Sequence, residues 1–149
     1  MTTFTNQVQQ VINAALNVIH KKLSEENAIA LPVEIKDYLQ IRLACDQDEW
    51  ICAMFMNNKC GMISFQRLFR DPVSVSNLVL RVIARKALEL AGAVVLCQNH
   101  TAVDVVPRDK EMELGDKIKD ALALFGIQLL DYIFVSRQGF YSLAEYELL

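Results

Sequence analysis

Glycine and proline are scarce in this chain, five and three residues respectively. No stretch is rich in glycine, proline and serine, and flexible linkers and low-complexity segments are built from such stretches. No internal repeat recurs, which removes solenoids and propellers. No apolar run approaches the ~20 residues that cross a bilayer as a helix. The start, Met1-Thr2-Thr3-Phe4, lacks a charged segment followed by an apolar one, so no secretory leader is expected and the chain reads as cytoplasmic. A basic excess is missing too: the formal net charge is −3 and the isoelectric point about 5.4. With no global attraction for phosphate, a nucleic-acid role would need a local basic patch. The four cysteines, Cys45, Cys52, Cys60 and Cys97, form no C-x-x-C pair, which excludes zinc ribbons and thioredoxin-like motifs. All four lie in apolar runs and read as small buried hydrophobes.

What the chain does have is apolar material for one core. Its 149 residues are 53% hydrophobic and 22% charged, a size and balance suited to a single domain. Val8, Val11, Ile12, Ala15, Ile19 and Leu23 recur at helical spacing, so the first stretch reads as an amphipathic helix. Thr3 or Thr5 is its expected cap and Ser24-Glu25-Glu26-Asn27 its expected end. His20, before Lys21-Lys22, reads as a cation near the negative end of that helix. A second helix is expected from Leu31-Pro32, with Pro in the first turn, Glu34 near the positive end, and Ile35, Leu39 and Leu43 facing inward.

Two strand-like runs follow. The first is the continuous apolar run Trp50–Met56, with Trp50 expected in the core. After the turn Asn57-Asn58-Lys59 comes 61–65, continuing toward Leu68-Phe69, and the two runs read as a hairpin. A helix is expected over 75–90, with Leu78, Val82, Ile83 and Leu90 as core candidates and Ala91-Gly92 closing it. Residues 93–97 read as a buried strand and 98–107 as a loop. A helix over 109–125 ends at Gly126, then come a strand over 128–135, a turn at Gln138-Gly139 and a short strand over 140–142. The order α-α-β-β-α-β-α-β-β predicts an α/β fold, a mixed sheet flanked by helices. Its crossovers place the loop at Gln98 at a carboxyl strand end, where open α/β sheets keep their sites.

A series of short stretches carries a resemblance. They are Asp48-Glu49-Trp50, Leu68-Phe69-Arg70, Lys86-Ala87-Leu88-Glu89-Leu90, Asn99-His100, Gly126-Ile127-Gln128-Leu129-Leu130-Asp131 and Tyr141-Ser142-Leu143-Ala144-Glu145. In this order and near these spacings, residues 29–149 resemble the JAB domain of RadC-type proteins, a branch of the JAB/MPN (JAMM) metallopeptidase superfamily. Residues 1–28 lie outside the resemblance and form a separate N-terminal helix. The helix-hairpin-helix region that precedes the domain in full-length RadC proteins has no counterpart here, so its DNA-binding contribution is not carried over.

The resemblance implies a fold related to the cytidine-deaminase scaffold. It also implies a zinc site of the pattern His-x-His-Pro, six residues, Ser, two residues, Asp, with a Glu on an early strand as general base. Two His and one Asp leave one zinc position open for water, the Glu takes its proton, and the Ser stabilises the oxyanion. Laid on this chain, the pattern is incomplete. Glu49 falls at the general-base position and His100 at the second His. Gln98 falls at the first His, Thr101 at the Pro, Arg108 at the Ser and Glu111 at the Asp. A neutral amide is a poor zinc ligand beside imidazole. Glu111 is one methylene longer than the Asp it replaces, and a permanent cation at Arg108 repels a divalent one. Tyr132 stands where members of the family often carry His after Leu-Asp, a change with no assigned role. The deaminase signature, His-x-Glu with Pro-Cys-x-x-Cys, is absent, so base deamination is not implied.

Three functional expectations follow. The first is a binding or structural module that kept the scaffold and lost the metal, with Arg108 pairing with Glu49 or Glu111 in its place. The second is a residual zinc hydrolase in which Gln98, His100 and Glu111 hold the metal weakly, or Asp104 or Asp109 steps in. Cys97 is not a substitute ligand, because a strand sends it to the face opposite Gln98. The third is a DNA-repair-associated nucleic-acid role carried by Arg67, Arg70, Arg81, Arg85 and Lys86, against which the acidic balance of the chain speaks. The expected partner is another protein rather than nucleic acid or membrane, with homodimerisation through the first helix a further expectation.

Overall fold

The computed structural model describes residues 2–24, 32–44, 46–59, 61–70, 76–90, 92–102 and 104–149. Cys45, Cys60, Ala91, the segments expected to end α1 and to start the third helix, and the side chain of His20 lie outside the described residues. The elements run α1 (Thr2–Ser24), α2 (Pro32–Leu43), β1 (Trp50–Met56), β2 (Met62–Arg70), α3 (Ser76–Leu90), β3 (Ala93–Asn99), α4 (Asp109–Ala123), β4 (Gln128–Ser136) and β5 (Gly139–Ser142). The expected order is the observed one. α1 already begins at Thr2, so Thr3 and Thr5 lie inside the helix rather than before it.

The strands form one sheet in the order β2-β1-β3-β4-β5. β3 and β4 are parallel and the other neighbours antiparallel, so the sheet is mixed. Composition assigns the places. β1 and β3 are continuously apolar until the polar end of β3, and both are central. A strand covered on both faces needs no polar side. β2, with Ser64, Gln66, Arg67 and Arg70, takes an edge.

Helices cover both faces. Tyr38, Leu39 and Leu43 of α2 pack on Cys52, Met54, Val95, Cys97, Ile133 and Val135, and Leu16 and Ile19 of α1 join them. Val79, Ile83 and Ala87 of α3 and Leu114, Ile118 and Leu122 of α4 cover the other face, on Ile51, Ala53, Phe55, Val94, Leu96 and Phe134. No described helix is long and apolar enough to cross a membrane.

Three expectations are corrected here. α3 is turned by about one residue from the expected face. Leu78 is 48% exposed and Leu90 39%, while Val79, Ile83 and Ala87 are buried. Val79, Ile83 and Ala87, spaced four apart, form the inner stripe, which keeps the expected Ile83, leaves Leu78 outside it and has Leu90 at its end. Trp50 is half-buried under the Arg67 guanidinium rather than in the core. Gln98 and Asn99 are not loop residues but the end of β3. Polar side chains end this strand because it runs out of the core into a hydrogen-bonding site.

Two glycines set geometry that matters below. Gly126, at φ +70°, closes the carboxyl end of α4 in the left-handed conformation, which glycine adopts without steric cost. Gly115 lets α4 approach β4: a Cβ there would meet the Tyr132 ring at 3.1 Å. Gly115→Leu is therefore expected to cost about 1–3 kcal/mol by overpacking and to displace Tyr132. Urea unfolding measures the loss, and an unchanged midpoint would contradict this close packing.

Candidate functional site

The functional residues converge where three chain ends meet. β1 runs antiparallel to β3, so the amino end of β1 lies beside the carboxyl end of β3, with Ile51 opposite Gln98. The amino end of α4 comes over the same corner. Asn99 fastens the approach to β1: its side-chain oxygen accepts the Trp50 N–H at 2.7 Å and its amide donates to the Asp48 carbonyl at 2.8 Å. Glu49, between those two residues, is fixed from both sides.

α4 starts at Arg108, whose backbone is extended (φ −80°, ψ 159°). The Glu111 carboxylate, in the first turn, accepts the Arg108 backbone N–H at 2.9 Å. That is the acidic half of a capping box, and it sets a negative charge at the positive end of the helix. The Arg108 guanidinium forks onto Glu49, Nη2 to Oε1 at 2.9 Å and Nη1 to Oε2 at 3.3 Å. Its Nε lies 3.7 Å from Glu111 Oε1. Arg108 thus bridges the two carboxylates, and its side chain remains 47% exposed.

His100 completes the row. Its backbone N–H donates to the Val135 carbonyl at 2.8 Å. Nε2 lies 2.8 and 3.2 Å from the Glu111 oxygens, and Nδ1 lies 3.1 Å from the Asp104 carbonyl. Both neighbours are acceptors, so the ring form that satisfies both is the doubly protonated imidazolium. Burial would lower the His100 pKa, but the hydrogen bond and charge of Glu111, with the Asp104 carbonyl, outweigh burial and the opposing Arg108 charge and raise it. For Glu49, burial pushes upward, and the hydrogen bond and charge of Arg108, the Thr101 N–H and the His100 charge bring the pKa below its ordinary value. Carboxylates and basic side chains therefore alternate along the row Glu49, Arg108, Glu111, His100.

Gln98 does not join this row. Its side-chain oxygen accepts the Tyr132 hydroxyl at 2.8 Å, and its amide nitrogen is buried with no hydrogen-bond partner among the described residues. Burial holds the Tyr132 phenol well above its usual range, so it stays a donor. Tyr132 reaches Gln98 because a register shift lets Val94 and Val95 pair with Leu129 and Asp131, turning Tyr132 onto the α3–α4 face. Tyr132 and Asn99 are the residues that sequence reasoning left without roles. The signal for Tyr132 was its place after Leu130-Asp131.

The other candidate ligands fall elsewhere. Asp104 turns its backbone carbonyl to His100 and spends its carboxylate on the Val106 N–H at 2.9 Å. Asp109 is exposed. Cys97 is buried on the α2 face, opposite Gln98, as alternation requires. Among the described residues, no three or more of His, Cys, Asp and Glu converge as a metal-binding group. Arg67 and Arg70 of the basic set are in ion pairs, with Asp46 at 2.7 Å and Asp48 at 3.4 Å. A surface groove of about 490 Å³ beside Lys119, Ile127, Leu129 and Leu149 shares no residue with the site.

Comparison with known proteins bears on the scaffold. The sequence profile of the RadC-like JAB domain matches residues 29–148. A UPF0758 protein of Pseudomonas savastanoi pv. phaseolicola is 28% identical over 130 residues, 87% of this chain and 58% of that protein. One of Stutzerimonas stutzeri is 29% identical over 141 residues, 94% of this chain and 63% of that protein. One of Vibrio cholerae is 27% identical over 131 residues, covering 87% of this chain and 83% of that protein. The chain spans about three fifths of the length of the first two relatives. The matched region takes in every strand of the sheet, the helices α2, α3 and α4 and the whole candidate site, and on that match the chain belongs to the RadC-like JAB domain family.

Proposed function

We propose that this domain works without a metal, as a binding or structural module built on the JAB scaffold. The observation that carries the reading is the alternating row Glu49, Arg108, Glu111, His100. Two carboxylates held this close in a partly dry site need countercharge. Here the Arg108 guanidinium lies against both carboxylates, and His100, whose pKa is raised by Glu111, adds a positive charge when protonated.

Zinc, which the resemblance implies, does not fit this donor set. A zinc-binding imidazole offers one lone pair and donates from its other nitrogen; with Nδ1 on the Asp104 carbonyl, the nitrogen left is Nε2, which lies at hydrogen-bond distance, 2.8 Å, from Glu111. The Gln98 oxygen is taken by Tyr132, and an amide is a weak ligand in any case. The guanidinium lies between Glu49 and Glu111, where it would repel the ion. No hydrolytic step is assigned. The partner of such a module is a protein in this reading.

Three outcomes are expected. Protein purified without a histidine tag should contain no stoichiometric zinc by elemental analysis and show no saturable uptake at micromolar zinc. Near-stoichiometric zinc that is lost in His100→Ala would overturn the proposal and restore the metallopeptidase reading.

The stability costs should rank by burial. Arg108→Ala should cost about 1 kcal/mol, since the Arg108–Glu49 pair is partly solvated. His100→Ala, which strands the buried Glu111 carboxylate, should cost about 3 kcal/mol. Urea unfolding of both variants checks the ranking, and equal losses would contradict it.

The pH dependence has two sides. His100 has a raised folded pKa, so its contribution is complete below the ordinary 6.5 and is lost as pH rises through the raised value. Glu49 has a lowered folded pKa, so its contribution is complete above the ordinary 4.5 and is lost as pH falls through the lowered value. His100→Gln keeps a donor toward Glu111 but does not titrate. Urea midpoints across pH should show the alkaline-side decline in the wild type and not in that variant.

A further inference from the structure

The outer faces of α3 and α4 carry complementary stripes. On α3, Leu78, Arg81, Arg85 and Leu88 follow at intervals of three, four and three, which places them on one face of a helix. All four are exposed, the two leucines by 48% and 55%. On α4, Asp109, Glu113, Asp116 and Asp120 follow at intervals of four, three and four, and all are exposed. Leu124, 83% exposed, continues that line just past the helix. Within each stripe, like charges stand three and four apart, and the exposed Glu89 of α3 and Lys110, Lys117 and Lys119 of α4 lie to the sides of the stripes. Among the described residues, none of the six charged groups of the stripes has an opposite charge within ion-pairing distance.

The fold also fixes how the stripes lie. β2 and β3 are both antiparallel to β1, and β3 is parallel to β4. α3 and α4 are therefore both crossovers between parallel strands, pack side by side, and point the same way. Each has 15 residues, and each leads into a strand whose first residue is paired with the other's, Ala93 with Gln128. The two helices thus start and stop at nearly the same height.

We propose that the outer face of the α3–α4 layer docks against the same face of a second copy of this chain. A two-fold axis between the layers and parallel to the helices sets α3 of each copy over α4 of the other. Such an axis preserves height. Arg81 then lies level with Glu113 and Asp116, and Arg85 level with Asp116 and Asp120. Leu88 falls near Leu124. The register that pairs the charges is thus the one symmetry imposes, and no sliding is needed to reach it. The acidic stripe beside the arginines disfavours a phosphate backbone as occupant. This interface is separate from α1 and from the candidate site, and it goes beyond the proposed function.

Sedimentation equilibrium of the full chain tests it, in a concentration series to about 100 µM at low salt. The wild type should be a dimer that weakens between ~0.05 and ~0.5 M salt. Arg81→Glu with Arg85→Glu should raise the dimer dissociation constant on the order of 10²-fold by setting acid against acid. Glu113→Arg with Asp116→Arg and Asp120→Arg should do the same with the opposite sign. An equimolar mixture of the two variants should form a heterodimer, since both contacts are then attractive. All five positions are exposed, and circular dichroism confirms that each variant is folded. A wild type that stays monomeric overturns the proposal. So does a dimer that survives the arginine substitutions or does not respond to salt, or a pair of folded variants that do not associate. A monomer that instead binds duplex DNA through Arg81 and Arg85 would overturn it in favour of phosphate.

Discussion

A buried carboxylate must be compensated where it sits, and Glu111 is such a group, 5% exposed in the first turn of α4. It accepts from the Arg108 backbone, lies beside the Arg108 guanidinium and meets the His100 ring. Those contacts hold the start of α4 against the carboxyl end of β3. Once Arg108 is held there, its guanidinium reaches Glu49 and ties in the approach to β1. The corner where β1, β3 and α4 meet is therefore closed by charge pairing, whereas the rest of the sheet is held by apolar burial.

This arrangement links the altered positions of the family pattern. Gln98 and Tyr132 form a hydrogen-bonded pair. Arg108 adds a cation between Glu49 and Glu111, and the longer Glu111 reaches both its own helix cap and His100. Arg108 and Glu111 find their partners in Glu49 and His100, Gln98 finds one in Tyr132, and the Gln98 amide nitrogen has none among the described residues.

The two faces of the sheet differ in how they meet solvent. α1 and α2 cover one side, and α1 leaves Val11 and Val18 about 70% exposed. α3 and α4 cover the other with a packed inner surface and an outer one that carries Arg81 and Arg85 on α3 and Asp109, Glu113, Asp116 and Asp120 on α4. Had α3 buried Leu78, Arg81 and Arg85 would not line its outer face; the buried stripe is instead Val79, Ile83 and Ala87.

The sequence by itself determined the element order, the central strands and the family. Apolar periodicity and turn residues are local properties, and β1 and β3 announce themselves as continuous apolar runs. It also named Glu49, Gln98, His100, Arg108 and Glu111 through a resemblance, but not which would touch which. Tertiary structure decided that Arg108 forks onto Glu49, that His100 faces acceptors on both nitrogens, and that Tyr132 meets Gln98. It also decided which stripe of α3 is buried. Apart from His100 with Asp104, the side-chain contacts named here join residues 11 to 59 positions apart. They depend on strand register, on one register shift in β4 and on how closely a helix can approach a sheet, none of which is written in any local stretch of chain.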